Sequence, residues 1–222
     1  MLYLVATPIG NLKDITLRAI ETLQCVDIVA CEDTRKTGFL LNHLGIKKKM
    51  VSFFEHNEEK SGEYLIGELK KGRDVALVSD AGTPVISDPG YTLVQKALIE
   101  EIEITSIPGP SAGISALILS GLETHSFVFR GFPPNKQGKR RNFLSADKGL
   151  PYTLIYYESK YRILKFLDDA LEVLGDRDCS VSNDLTKMYE AVFRGKISVV
   201  RKEMEDKVVK GEYVVAIAGN RG

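Results

Sequence analysis

The sequence predicts an α/β protein whose first half is built on a parallel sheet, and three observations carry that reading. Short apolar runs alternate with segments of helical spacing, strand then helix, through the first half of the chain. Val75-Ala76-Leu77-Val78 is apolar without interruption, the pattern of a strand covered on both faces. Three loops that follow strands carry more Gly, Pro, Ser and Asp than a plain connector needs.

Taken in order, Leu2 to Ala6 is the first strand. After the turn at Pro8-Ile9-Gly10-Asn11 comes a helix that Asp14 can cap, with Ile15, Ala19 and Leu23 at helical spacing. Val26 to Cys31 is a second strand, and the helix after it runs through Phe39, Leu40 and Leu44 until Gly45 ends it. Met50 to Phe54 is a third short strand, and the helix from Ser61 to Lys71 stops at Gly72. The Val75 strand, a helix from Tyr91 to Ile99 and a strand from Ile102 to Ile107 complete the repeat. Ser111 to Leu119 reads as a small-residue helix packed closely on that sheet.

After Gly121 the alternation changes. The expectation is an N-terminal domain over 1–121 and a C-terminal mixed α/β sheet domain over 122–222. Strands are expected at Phe127 to Phe129, Thr153 to Tyr157, Asp178 to Ser182, Ser198 to Val200 and Val214 to Ala218. Helices are expected at Lys160 to Leu174 and Arg201 to Val208, and Pro133 to Arg141 reads as a polar, basic loop.

Composition narrows the function classes. In 222 residues, 44% of them apolar, 30 basic and 30 acidic side chains cancel. That balance argues against a generally sticky nucleic-acid coat and leaves room for a local basic patch. Three cysteines, Cys25, Cys31 and Cys179, form no C-x-x-C pair, so neither a disulfide framework nor a zinc signature is indicated. No cluster with ligand spacing suggests another metal. The first residues lack a basic region and run into Thr7-Pro8, which reads as a strand and not as a signal peptide. No apolar run approaches the roughly 20 residues of a membrane-spanning helix. A soluble, cytoplasmic protein without membrane partners is expected.

The three rich loops are Ala6 to Asn11, Ser79 to Pro84 with Ile86 to Gly90, and Pro108 to Ala112. In a parallel sheet, ligands bind beyond the carboxyl ends of the strands, where such loops converge. Glycine lets backbone approach a ligand, and Ser111 sits where it can cap a helix whose free N–H groups suit an anion. The plain alternative is a set of tight strand-to-helix turns. The patterns G-x-G-x-x-G and G-x-x-x-x-G-K-[ST] are both absent, so NAD and ATP have little support.

Read together, these segments resemble the tetrapyrrole methylase superfamily, and within it the branch of ribosomal RNA small-subunit cytidine 2′-O-methyltransferases. The matching strings are Val5 to Leu12 with Asp14-Ile15-Thr16 and Arg18-Ala19, Glu32-Asp33-Thr34-Arg35, Ser79 to Pro84, and Ser87-Asp88-Pro89-Gly90. Further strings are Pro108 to Ala112, Gly131-Phe132 with Pro134, Lys136 and Arg140, and Leu185-Thr186-Lys187 with Glu190 and Arg194-Gly195. The sequence departs from the family where Glu158-Ser159-Lys160-Tyr161-Arg162 replaces Glu-Ser-Pro-His-Arg and where Asp184 replaces a glutamate. Many members also carry a further C-terminal extension.

The resemblance implies a two-domain fold with S-adenosylmethionine held in the cleft between the domains, usually in a homodimer. It places the cofactor against Asp80, Ala81, Gly82, Thr83, Pro84 and Ile86, with Ser111 and Ala112 as a second contact. From the C-terminal domain it implies Tyr157, Glu158, Asp184, Leu185 and Thr186, with Ala218-Gly219 a weaker candidate. The implied substrate is small-subunit ribosomal RNA, free or in the assembled subunit. Two other functions compete: a same-fold methylase acting on a tetrapyrrole or other small molecule, and a non-catalytic RNA-binding module.

Methyl transfer from a sulfonium to a hydroxyl is an in-line displacement, in which positioning alone can supply about 7–11 kcal/mol. A ribose hydroxyl is a weak nucleophile, so a base or a nearby positive charge is needed as well. Glu32, Asp33 and Arg35 follow the second strand, and Glu55-His56-Asn57-Glu58 follow the third. Asp33, Arg35 and His56 are taken to handle the target nucleotide. The competing structural roles are a helix cap for Asp33 and a bond to a loop carbonyl for His56. Lys136, Lys139, Arg140 and Arg141 are taken as phosphate contacts, the alternative being a solvated charged loop.

Overall fold

Apolar strands alternating with amphipathic helices give the first of two compact units, Met1–Ser111. The computed structural model describes residues 1–205 and 211–220. Strands β1 (Leu2–Val5), β2 (Ile28–Cys31), β3 (Lys49–Ser52), β4 (Val75–Val78) and β5 (Ile104–Ile107) form one sheet in the order β3-β2-β4-β1-β5. Every pairing in it is parallel. β2 and β4 are buried along their whole length, which is why they read as unbroken apolar runs.

Helices α1 (Leu17–Cys25) and α2 (Thr34–His43) cover one face, where Ala19, Leu23 and Leu41 meet Val5, Val29, Cys31, Ala76 and Val78. Helices α3 (Glu58–Lys70) and α4 (Tyr91–Ile99) cover the other, where Leu65, Leu69, Leu93 and Ala97 meet Leu2, Ile28, Ala30, Val75 and Leu77. Right-handed crossovers force this division, because α1 and α2 carry the chain one way across the sheet and α3 and α4 carry it back. The loops leaving the neighbouring strands β1 and β4 therefore diverge, and a crevice opens between them at their carboxyl ends.

Asp14 does not cap α1. It ends a short 3-10 turn, Leu12–Asp14, and Thr16 is the cap, its hydroxyl accepting a hydrogen bond from the Ala19 N–H at 3.1 Å.

The second unit is Ala112–Gly222. Its sheet contains β6 (Phe127–Gly131), β7 (Thr153–Ser159), β8 (Asp178–Asn183), β9 (Ala191–Lys196) and β10 (Glu212–Ile217) in the order β6-β7-β10-β8-β9. β6 pairs parallel to β7 and the other pairings are antiparallel, so the sheet is mixed. Helices α6 (Gln137–Asp147), α7 (Ile163–Leu174) and α8 (Ile197–Met204) bury Leu144, Phe166, Leu167, Val200 and Met204 against Leu154, Tyr156, Val181 and Val215. Helix α5 (Ala112–Ser120) covers the opposite face, packing on β7, β8, β9 and β10 through Gly113, Ala116, Leu117 and Ser120. This helix was expected on the first sheet. It belongs to the second, so the compact units divide one helix before Gly121.

Three further expectations differ from the structure. The segment expected to be a basic loop becomes helical from Gln137, because the side chains of Gln137, Arg140 and Arg141 all engage Asp169 on α7. Ser198 to Val200 is not a strand. Asp176 accepts from the Ser198 N–H at 2.9 Å and from its hydroxyl at 2.7 Å, an arrangement that satisfies the start of α8. The helix expected to reach Val208 begins earlier and ends at Met204, and 206–208 lie outside the described residues. The edge strand β9 escaped notice because Arg194, Gly195 and Lys196 interrupt its apolar pattern.

Inside this core, the Tyr156 hydroxyl donates to Asp147 Oδ2 at 2.9 Å, and Arg130 Nε donates to the same oxygen at 2.9 Å. Burial, and then the Asp147 charge, push the Tyr156 phenol far above its usual range. Tyr156→Phe removes one donor to a buried carboxylate and should cost about 1.5 kcal/mol in chemical unfolding. Unchanged stability would mean that Arg130 alone satisfies Asp147. Among the described residues no helix is long and apolar enough to cross a membrane.

Candidate functional site

The loops after β1, β4 and β5 are hydrogen-bonded to one another at the carboxyl edge of the parallel sheet. Thr7 N–H donates to the Gly82 carbonyl at 2.9 Å, and Gly82 N–H donates to the Thr7 carbonyl at 3.0 Å. The Thr7 hydroxyl donates to the Ser79 carbonyl and the Ser79 hydroxyl to the Gly82 carbonyl, both at 3.2 Å. Thr83 Oγ1 donates to the Pro110 carbonyl at 3.1 Å.

Gly82 is required here for two reasons. Its φ is +86°, and a Cβ would lie 3.3 Å from Ile9 Cγ2 and 3.6 Å from the Pro110 oxygen. Val85 and Ser87 also adopt positive φ, 75° and 61°, so the same loop holds two strained residues. Its far end is tied down by Glu58, whose carboxylate accepts from the Gly90 N–H at 3.2 Å and from the Thr92 hydroxyl. Asp80, Ala81, Gly82, Thr83, Pro84 and Ile86 thus sit in one pre-set loop, with Ala81 and Ile86 exposed and Gly82 and Pro84 buried.

Asp80 turns toward the β2–α2 corner. Its Oδ1 accepts from the Asp33 N–H at 3.1 Å, and its Oδ2 pairs with Lys36 Nζ at 2.7 Å. Asp33 caps α2, accepting from the Arg35 N–H at 2.8 Å, and also holds the Arg35 guanidinium through Nε at 3.0 Å and Nη2 at 2.7 Å. These bonds from Arg35 keep the Asp33 carboxyl far below the usual carboxylate range. Asp33 is therefore ionised, occupied and a weak base. Its neighbour Glu32 is pushed the other way, first by burial and then by the Asp80 charge.

A groove of ≈ 530 Å³ opens at this corner, lined among others by Thr7, Pro8, Asp33, Arg35, Phe39 and Asp80. The structure therefore brings Asp33, Arg35 and the Asp80 loop together. His56 does not line the groove. It is exposed after β3, with its ring edge-on to Phe54 at 6.3 Å. Sequence reasoning passed over Thr7 and Phe39. Thr7 was quoted only as part of a motif, and Phe39 only as a residue along its helix.

In the second unit, β7 and β8 both run antiparallel to β10, so their carboxyl ends share one end of the sheet. Tyr157 packs edge-on to Phe129 at 5.0 Å and Phe132 at 5.4 Å, and its hydroxyl accepts from the Gly113 N–H at 3.1 Å, one residue beyond Ala112. Ser111 is the last residue of the first unit. Glu158 is buried. Its Oε1 accepts from the Ser159 N–H and from Arg162 Nη2, both at 2.7 Å, while Oε2 has no partner among the described residues. Burial raises its carboxyl. Asp184 and Thr186 have positive φ, 48° and 67°, around the buried Leu185.

Lys136 and Lys139 are exposed near the start of α6. Arg140 is only 3% exposed: its Nε donates to Asp169 Oδ2 at 2.8 Å and its Nη1 to the Asn135 carbonyl at 3.0 Å. Arg141 is held by Asp169 at 2.7 Å and by Glu172 at 2.6 Å. The two arginines hold α6 to α7, which leaves Lys136 and Lys139 as the exposed cations of this stretch.

Comparison with known proteins gives a consistent picture. Residues 1–200 match the family described as tetrapyrrole (corrin/porphyrin) methylases. The chain is 50% identical over 219 residues to ribosomal RNA small subunit methyltransferase I of Halalkalibacterium halodurans, covering 99% of this chain and 76% of that protein. It is 45% identical over 218 residues to the protein of the same name from Thermotoga maritima, covering 98% of each. Among solved structures it resembles uroporphyrin-III-C-methyltransferase from Thermus thermophilus, with a TM-score of 0.66 and 21% identity over 97% of this chain and 93% of that one. This last likeness bears on the fold alone.

Proposed function

Since the chain belongs to the tetrapyrrole (corrin/porphyrin) methylase family, we propose that it is an S-adenosylmethionine-dependent methyltransferase acting on small-subunit ribosomal RNA, at the ribose 2′-hydroxyl of a cytidine. The observation that carries this reading is identity of 45–50% across nearly the whole chain to relatives named ribosomal RNA small subunit methyltransferase I. The choice of a cytidine 2′-hydroxyl follows the resemblance of the motif strings, as does a homodimeric enzyme.

The residues present fit the cofactor. The stretch from Ser79 to Gly90 contains no lysine or arginine, and its Asp80 is ion-paired with Lys36, so the loop itself sets no cation against a sulfonium and offers none to a phosphate. Gly82 keeps the cradle clear of side chains where three loops meet. Asp80 through Pro84, with Ile86, would hold the cofactor from the first unit. Ser111, Ala112, Tyr157, Glu158, Asp184, Leu185 and Thr186 are the remaining proposed contacts. When bound, S-adenosylmethionine supplies the methyl group.

The chain's own residues contribute alignment and charge. Asp33 fixes the guanidinium of Arg35 at the groove, where a fixed cation can hold a backbone phosphate or stabilise negative charge developing on the hydroxyl oxygen. Asp80 fixes Asp33 and Lys36 in turn. Lys136 and Lys139 are proposed to meet RNA phosphates.

Gly82→Ala strains a left-handed position and pushes on Ile9, so S-adenosylmethionine affinity should fall about tenfold by calorimetry, equivalent to about 1.4 kcal/mol. Undiminished affinity would place the cofactor elsewhere. The function itself is tested by supplying labelled S-adenosylmethionine and small subunits from cells that lack this protein, then mapping the modified nucleotide. Label on a 2′-oxygen of a cytidine is expected. Label on a base, or none in the RNA, would refute the proposal.

A further inference from the structure

We infer that Phe39 is a stacking platform for a nucleobase of the RNA substrate, an inference that rests on the proposed function and deepens it. Helical spacing counts Phe39 among the apolar positions of α2, but the buried face of that helix is made by Thr37, Leu40 and Leu41. Phe39 points away from it and is 66% exposed. A large aromatic ring left in water is informative when it borders a concave, mainly apolar groove that also carries charge, and Phe39 lines the same groove as Asp33, Arg35 and Asp80.

Its neighbours identify what the ring can hold. Arg35 lies one helical turn before Phe39, at i and i+4, and Lys36 lies at i and i+3, so two cations share its face of the helix, Arg35 held by Asp33 and Lys36 by Asp80. Pro8 and Leu12 supply apolar wall on the β1 side of the groove. A phosphate alone would use the cations and leave the ring idle, and an aliphatic ligand would do the reverse. A nucleotide within a single-stranded or extruded segment of RNA uses both, its base stacking on the aromatic face and its phosphate meeting the cation. Base stacking tolerates any base, so Phe39 would hold the nucleotide without choosing its identity. Phe39 is therefore a positioning residue, distinct from the groups that act on the hydroxyl.

The test is steady-state methylation of small subunits from cells lacking this protein. Phe39→Ala should raise KM for subunits about tenfold, within the range expected for loss of one base–aromatic stack, with kcat within about twofold of the parent. Phe39→Trp and Phe39→Tyr should restore KM, whereas Phe39→Leu should not. Phe39 lies outside the core, so the fold should survive each substitution, and S-adenosylmethionine binding by calorimetry should be unaltered in every variant. The inference is overturned if Phe39→Ala leaves KM unchanged, or if Phe39→Leu restores it as well as Phe39→Trp. It is also overturned if Phe39→Ala changes the mass of the protein in sedimentation, which would make this face an interface between copies. Normal turnover by the parent with indifferent Phe39 variants removes this inference alone; a parent inactive on subunits removes it together with the proposed function.

Discussion

Replacing Arg35 with alanine should slow single-turnover methyl transfer to small subunits about 100-fold, the scale seen when one preorganised donor is lost from a reacting centre. The expectation rests on the geometry around the side chain. Asp33 holds the guanidinium through two nitrogens, Asp80 fixes the backbone of Asp33, and the three residues line one groove. A cation oriented in advance spends little on reorganisation when charge develops nearby. Arg35→Lys should recover only part of the rate, because an ammonium cannot accept the two-point grip that Asp33 provides. His56→Ala should change the rate by less than about threefold, since its ring sits against Phe54 and not in the groove. An Arg35→Ala enzyme within about fivefold of the parent at saturating substrate would remove Arg35 from the reacting centre.

Arg140→Ala should destabilise the second unit by about 3 kcal/mol, the lower end for breaking a buried ion pair, because Asp169 keeps partial support from Arg141 and Gln137. The loss is large because Asp169 is 1% exposed and its charge cannot be handed back to water. Lys139→Ala, one residue earlier and exposed, should stay within about 0.5 kcal/mol. The pH dependence follows from the Asp169 carboxyl. Burial alone would raise it, but hydrogen bonds from Arg141, Gln137 and Arg140 together outweigh burial and hold it below its ordinary value. A group with a lowered folded value contributes stability above its unfolded value, about 3.9, and loses it as the pH falls through the folded one. The gap between parent and variant should therefore be widest at neutral pH and should narrow below about pH 4. A gap that persists in acid would mean that lost packing, and not charge, destabilises the variant.

Local chemistry was readable in the sequence, and long-range chemistry was not. β2 and β4 announce themselves because burial on both faces demands unbroken apolar runs, and the glycine-rich loops mark the ends of β1, β4 and β5. Asp33 and Arg35 were legible for the same reason, as charged residues at the end of a buried strand. Helix α6 was not. The residue that makes its arginines structural is Asp169, on α7, and nothing near Arg140 or Arg141 in the chain foretells it. Helix α5 was assigned to the wrong sheet because its small residues fit any close partner, and only tertiary contacts decide which. Phe39 stayed unremarked because periodicity marks apolar positions without telling which of them the fold leaves in water.

Val85 and Ser87 give the glycine-rich loop a further property. Each sits in a region of backbone space that disfavours side chains, at a cost of order 1–3 kcal/mol apiece. That expense is incurred while the polypeptide folds, so the proposed donor would meet a surface already shaped to receive it. Selection for heat resistance would find easy gains by placing glycine at these two positions, and selection for turnover would resist those gains.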